Sequence, residues 1–242
     1  MIRADLHVHS AASWDGRSTL MELAEAAKAQ GLDAIAICDH DRCTDVSGHY
    51  PVLLIPGVEV TTTAGHVLGL FLARPLDAVL WKNGAPAPQT AIAAIRACGG
   101  LAVPAHPFSP QKLDEPALCA LRPDALECEN ARVALKHAAC NARAHALAKA
   151  AALPQTGGSD AHSAAEVGGC YTKLDCSECT ISALKAALAD GRSSAVFRRA
   201  CRWRQKGLSQ WHGHRHDRSL KKRCKALCYL IYCILRDAVS GR

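Results

Sequence analysis

Ala34-Ile35-Ala36-Ile37-Cys38-Asp39-His40-Asp41 is the stretch on which the fold turns. Five apolar residues follow one another without a polar break. Such a run suits a strand covered on both faces, and strands of that kind belong to sheets wrapped by helices. The run ends in two acids and an imidazole. Upstream, residues 3–8 alternate as a strand, and Thr19 and Glu22 take the reciprocal positions of a capping box. The helix they start runs to about Gln30, where Gly31 stops it. Downstream, residues 52–55, 58–62 and 67–72 read as strands, 90–98 as a helix ended by Gly99-Gly100, and 101–104 as a strand. A strand at 125–128, an Ala-rich helix at roughly 138–151, a strand at 155–157 and a helix at 181–189 complete the body. Strands alternating with helices predict an α/β fold with a parallel sheet or barrel.

Polar residues recur where these strands end. His7-Val8-His9 closes the first and Asp39-His40-Asp41 the second. Gly57-Val58-Glu59-Val60, His66, Ala105-His106-Pro107 and Ser159-Asp160-Ala161-His162 follow. Side chains two apart on a strand share a side, so His7 and His9 reach one ion together, as do Asp160 and His162. Imidazoles and carboxylates delivered at successive strand ends build a polynuclear metal site. Strand C-termini are also where a β/α barrel keeps its active site. The expectation is a metal-dependent hydrolase.

At 242 residues and 25.7 kDa, the chain has room for one large domain or one domain with an appendage. No run approaches the ~20 apolar residues that span a bilayer. The first residues show no basic-then-apolar leader, and Asp5 and His7 come at once, so a cytoplasmic location is expected. The thirteen cysteines are scattered singly, which suits a reducing compartment. Cys176-Ser177-Glu178-Cys179 has CxxC spacing without a second pair, so buried or loop thiols are the expectation there.

The ordered series resembles the PHP (polymerase and histidinol phosphatase) superfamily. Asp5-Leu6-His7-Val8-His9-Ser10, Asp39-His40-Asp41, Gly57-Val58-Glu59, Ala105-His106-Pro107 and Gly158-Ser159-Asp160-Ala161-His162 carry the likeness from about residue 3 to about residue 195. The last block, with Glu166-Val167-Gly168 and Tyr171-Thr172, is similar to short members with a PHP-associated C-terminal segment at about 155–195. The resemblance implies a distorted (β/α)7 barrel holding up to three divalent ions, commonly manganese, zinc or iron. Carried over by position, His7, His9, Glu59 and Asp160 hold the first ion. Glu59 bridges to a second, which His106 also binds, with Glu127 or Glu129 as its last ligand. Asp15, His40 and His162 hold the third, although Ser13-Trp14-Asp15-Gly16 is one residue longer than the family's usual Ser-Asp-Gly. His66 is read as binding or protonating the substrate, or as a satisfied neighbour of the ligands. Arg132 is read as a phosphate fork or as a surface arginine at a helix start. Asp5 and Asp39 are expected to orient imidazoles, and His49, His137 and His145 to lie exposed.

The implied chemistry is hydrolysis of a phosphate ester by a metal-bound hydroxide. No Gly-rich GxxxxGK loop is present, so water rather than a second substrate is the expected acceptor. A nucleotide or other small phosphomonoester is the favoured partner. The competing reading is a non-catalytic, metal-stabilised scaffold that works through its tail.

That tail differs from the body. Residues 1–197, the metallohydrolase domain, carry 16 Lys/Arg against 20 Asp/Glu, a net −4. Residues 198–242 carry 13 against 2, a net +11, and the chain's overall +7 comes entirely from them. An apolar run at 226–235, flanked by Lys221-Lys222-Arg223, predicts a short amphipathic helix. Packing on the body, an anionic membrane surface and nucleic acid are its candidate partners.

Overall fold

In the computed structural model, which describes residues 1–109 and 113–240, β1 (Ile2–Val8), β2 (Ala34–Ile37) and β3 (Leu53–Thr62) run parallel, with Ala34 opposite both Ala4 and Leu53. All four residues of β2 are buried, the double cover that its apolar run requires. Between β1 and β2, α1 (Leu20–Ala29) begins at the capping box: the Thr19 amide donates to Glu22 Oε2 at 2.7 Å, and the Glu22 amide to Thr19 Oγ1 at 3.3 Å.

The expected strands at 52–55 and 58–62 are one strand. β3 pairs with β2 as far as Pro56 and with β4 (Gly65–Leu70) from Gly57 onward. Only Thr63 and Ala64 separate β3 from β4, and so short a link forces an antiparallel hairpin. After α2 (Pro88–Ala97), β5 (Leu101–Pro104) pairs antiparallel with β4. The sheet is therefore mixed, not all parallel. Then come α3 (Glu115–Ala120) and the parallel pair β6 (Leu126–Asn130) and β7 (Gln155–Gly158), joined by α4 (Ala131–Ala150). β8 (Cys170–Leu174), α5 (Ile181–Ala189) and β9 (Ser193–Phe197) finish the body; β8 is antiparallel to both β1 and β9. The seven-stranded order is β5-β4-β3-β2-β1-β8-β9. The sheet curls into a half-barrel that β6 and β7 close. On one side the Asp124 amide donates to the Ala102 carbonyl at 2.9 Å, and on the other the His9 amide donates to the Ala161 carbonyl at 2.8 Å.

Two expectations need correction. α4 begins seven residues before the Ala-rich stretch, because the Asn130 side chain accepts the amides of Arg132 and Val133 and caps it. Its two parts meet at a kink at His137 (φ −139°, ψ 52°). The tail forms two helices rather than one short one. α6 (Trp203–His214) and α7 (Leu220–Ser240) pair antiparallel, with the Asp237 carboxylate accepting the Trp203 and Arg204 amides at 2.9 and 3.0 Å. α6 also rests on the body through Ser209, whose hydroxyl meets Arg132, and Gln205, whose amide donates to the Ala165 carbonyl. α7 leaves Leu227, Ile231, Ile234 and Leu235 exposed, and no described helix is long and apolar enough to cross a membrane. The last two residues of the tail lie outside the described residues.

Candidate metal centre

β1 is buried along its inner length, so the alternation that brings Leu6 and Val8 to the core on one side delivers His7 and His9, both fully buried, to the other. β7 comes close enough to touch them because residue 158 is glycine. A Cβ there would stand 2.3 Å from the Cβ of His7. The segment after β7 brings Asp160 and His162, the end of β2 brings His40, and β3 and β4 bring Glu59 and His66. His106 follows β5, and Asp15 sits in the loop after β1.

Glu59 is the hub. Its Oε2 lies 3.3 Å from His7 Nε2, 3.3 Å from His9 Nε2 and 3.2 Å from His40 Nδ1. Its Oε1 lies 2.9 Å from His66 Nδ1 and 3.1 Å from His106 Nε2. One buried carboxylate thus faces five imidazoles, three on one oxygen and two on the other. Asp160 Oδ1 stands 3.4 Å from His9 Nε2 and 3.5 Å from His162 Nδ1, while Asp15 Oδ2 is 2.9 Å from His162 Nε2. All eight residues expected as ligands come together, and His66 joins them.

The donor set fits divalent cations. Three groups, His9/Asp15/His40/His162, His7/His9/Glu59 and His40/Glu59/His66, each bring their donor atoms within 4.8 Å of one another. His7 Nε2 and His9 Nε2 face each other at 3.1 Å. Two nitrogens bound at right angles to one ion lie about 3 Å apart. The buried Nδ1 atom of His9 has no hydrogen-bond partner among the described residues, and such an atom is costly unless something ligates it.

The electrostatics agree. Burial opposes charge on His7, but Glu59, Glu127 and Asp160 outweigh it and hold its pKa well above the ordinary value. His9 is raised to about 9 against burial by Asp160 and Glu59. His40 is pushed down to about 4 by burial, with His9 and His162 adding to the effect. Glu59 and Asp160, although buried, are held well below the usual carboxylate range by the surrounding imidazoles.

Of the two acids read as the second ion's last ligand, Glu127 faces the cluster and Glu129 does not. Two residues apart, they would share a face of a regular strand, but β6 shifts register between them. Glu127 Oε1 meets His7 Nδ1 at 2.9 Å and its Oε2 accepts the His106 amide at 2.6 Å. Glu129 turns away to His145 Nε2 and Asn141 Nδ2. His145 is therefore engaged, not free on the surface. Asp5 and Asp39 orient backbone rather than imidazoles: Asp5 accepts the amides of Ser159 and Gly168, and Asp39 the Ser10 amide and the hydroxyls of Ser10 and Thr44. His106 (φ 31°) and Asp160 (φ 54°) both sit in the left-handed region, strain of the kind that collects at functional sites.

Arg132 is not on the surface. It is buried, its Nη1 pairs with Glu166 Oε2 at 2.8 Å, and its Nη2 donates to Ser209 Oγ at 2.6 Å. His66, with 31% of its side chain exposed, is the most open imidazole of the cluster. Sequence reading placed Glu166 in the last family block but gave it no role of its own. It lies four residues past His162 but is drawn in by the 3₁₀ turn at Ala164–Glu166, which no local signal marks.

The family model described as PHP domain matches residues 5–81, and the one described as PHP-associated matches residues 139–193. The chain is 38% identical over 76 residues to a 5'-3' exoribonuclease of Haemophilus influenzae, a stretch that covers 27% of each protein. Its structure is similar to that of PsfC from Pseudomonas syringae, with a TM-score of 0.61 and 23% identity over 96% of this chain and 98% of that one. It is also similar to a two-domain protein of Bacteroides vulgatus described as containing a predicted PHP-like metal-dependent phosphoesterase (TM-score 0.62, 20% identity, 86% of this chain and 68% of that one). These two likenesses are of fold, and they bear out the distorted barrel.

Proposed function

We propose that this chain, which belongs to the PHP superfamily, is a metal-dependent phosphoesterase that hydrolyses the phosphate ester of a nucleotide or another small phosphomonoester. The observation that carries this reading is the two-sided Glu59 carboxylate with its five imidazoles. Likeness to an exoribonuclease supports a nucleotide substrate. His7, His9, Glu59 and Asp160 would hold one divalent ion, Glu59 and His106 a second, and Asp15, His40 and His162 a third. Such ions, when bound, supply Lewis acidity and acidify water. Glu127 holds His7 by Nδ1, which keeps Nε2 aimed inward. His66 stands 2.9 Å from Glu59 at the open side of the cluster, where it can hydrogen-bond the phosphate or protonate the leaving oxygen. Arg132 adds fixed positive charge near Asp160.

Phosphate release from 3'-phosphoadenosine 5'-phosphate, AMP, histidinol phosphate and short RNA, measured with manganese, tests this reading. Release from one of them, abolished in a His7→Ala/Asp160→Ala variant, is the expected result. Release from none with any divalent ion, despite bound metal, would leave the scaffold reading.

Metal loading should also expel protons. His9 is raised to about 9 and the acids around His7 favour its charged form too, so the pair holds protons at pH 7 before an ion binds. Their protons must leave, and apparent affinity should fall as pH drops from about 9. Calorimetry in two buffers of different ionisation enthalpy should show release of about one proton or more per protein. Identical heats in both buffers would contradict this.

A further inference from the structure

We propose that α6 and α7 build a second anion subsite beside the metal centre, so that the substrate is a small molecule with a second anionic group set apart from the scissile phosphate. The first of those two anions rests on the phosphoesterase reading; the subsite itself does not.

Lys206, Gln210 and His214, four residues apart along one face of α6, and Lys222, Lys225 and Tyr229 of α7 line a cleft of about 760 Å³. The Lys206 ammonium makes no hydrogen bond or ion pair among the described residues, although its stem is largely covered. Arg132 and Lys136 are both near it, so its closest charged neighbours include further cations. Asp160 offsets part of this, but that carboxylate also faces imidazoles, so a covered ammonium beside two cations still favours a further anion. Asp217 answers only the outer part of the cleft, 3.3 Å from Lys222 Nζ and 3.8 Å from His214 Nδ1. Lys225 is exposed and has no such partner.

The cleft adjoins the metal centre. Lys206 lies close enough to Asp160 to feel its charge, and Ser209, one turn on, bonds Arg132. At the far end of α6 the Trp14 ring stands 5.3 Å from the His214 ring and 5.9 Å from the His40 ring. Gly213 makes that approach possible, since a Cβ there would lie 2.2 Å from the indole. One molecule can therefore place a phosphate at the ions and another anionic group against Lys206.

A nucleic-acid strand is the poorer occupant. Single strands bind by stacking bases on free aromatic faces. The ring that lines this cleft is Tyr229, and Lys136 already stands 4.8 Å from its centroid with the Tyr232 ring stacked at 6.2 Å.

Butane-1,4-bisphosphonate and butylphosphonate test this on the metal-loaded full chain by calorimetry. Their C–P bonds do not hydrolyse, so binding is read whether or not the protein turns over phosphate esters. The wild type should prefer the bisphosphonate at least about tenfold, as a second charge-assisted contact predicts. Lys206→Met and, separately, the exposed Lys225→Ser should bring that ratio toward one. Equal binding of both probes by the wild type, or an unchanged ratio in both variants, overturns the subsite. Tight, Lys206-dependent binding of a short RNA without bisphosphonate preference would overturn the small-molecule occupant. Failure of the phosphate-release panel would instead strike the phosphoesterase reading and leave the bisphosphonate preference standing.

Discussion

Replacing Glu59 by glutamine is expected to remove at least one bound ion and lower phosphate release more than about 100-fold, beyond the range typical of groups that merely orient ligands. The change keeps the size of the side chain and deletes its charge. Both oxygens matter, because Oε2 faces His7, His9 and His40 while Oε1 faces His66 and His106. A glutamine presents one oxygen and one NH₂, and that NH₂ would point at imidazole nitrogens on whichever side it took. The negative charge that raises the pKa values of His7, His9 and His66 would also be lost. Metal content by mass spectrometry, with far-UV circular dichroism to confirm the fold, decides the matter. Full metal content with near-normal activity would show that Glu59 is not the bridge.

The second large effect concerns stability. Glu166→Ala should destabilise the chain by about 3–5 kcal/mol, because it strands the Arg132 charge in a buried site. For a chain of this size that is a fall of roughly 10 °C in melting temperature. Arg132 cannot escape by losing its proton, because a guanidinium stays charged in proteins, and with Glu166 gone Asp160 still favours that charge. Glu166 also accepts the Ser163 hydroxyl at 2.9 Å, next to His162, so the ion held with Asp15 should weaken too. The double variant Arg132→Met/Glu166→Met should be much milder, since removing both charges leaves neither stranded. Equal melting temperatures for Glu166→Ala and the wild type would show that solvent reaches the pair.

Much of the site was legible because strands impose a period of two. His7 with His9 could be paired from spacing alone, and the apolar run at 34–38 announced a covered strand. Asp160 and His162 instead lie past the end of β7, with Asp160 in the left-handed region, and meet without a strand's period. The partner switch at Pro56-Gly57 was not legible, since strand pairing depends on which neighbour lies alongside. The bulge that separates Glu127 from Glu129 was hidden for the same reason. Arg132 misled because a helix-start arginine is ordinarily solvated, and only α6, dozens of residues later, covers it with Ser209.

The sequence by itself therefore determined the kind of chemistry: which residues can hold cations, in what order, and at the ends of which strands. Those facts are local, set by residue type and backbone period. Only the tertiary structure decided that one carboxylate serves five imidazoles, that Glu127 rather than Glu129 stands behind His7, and that the basic tail folds over the rim of the centre. Each of these is a contact between segments far apart in the chain, and such contacts are chosen by packing the whole core at once rather than by any neighbouring residue.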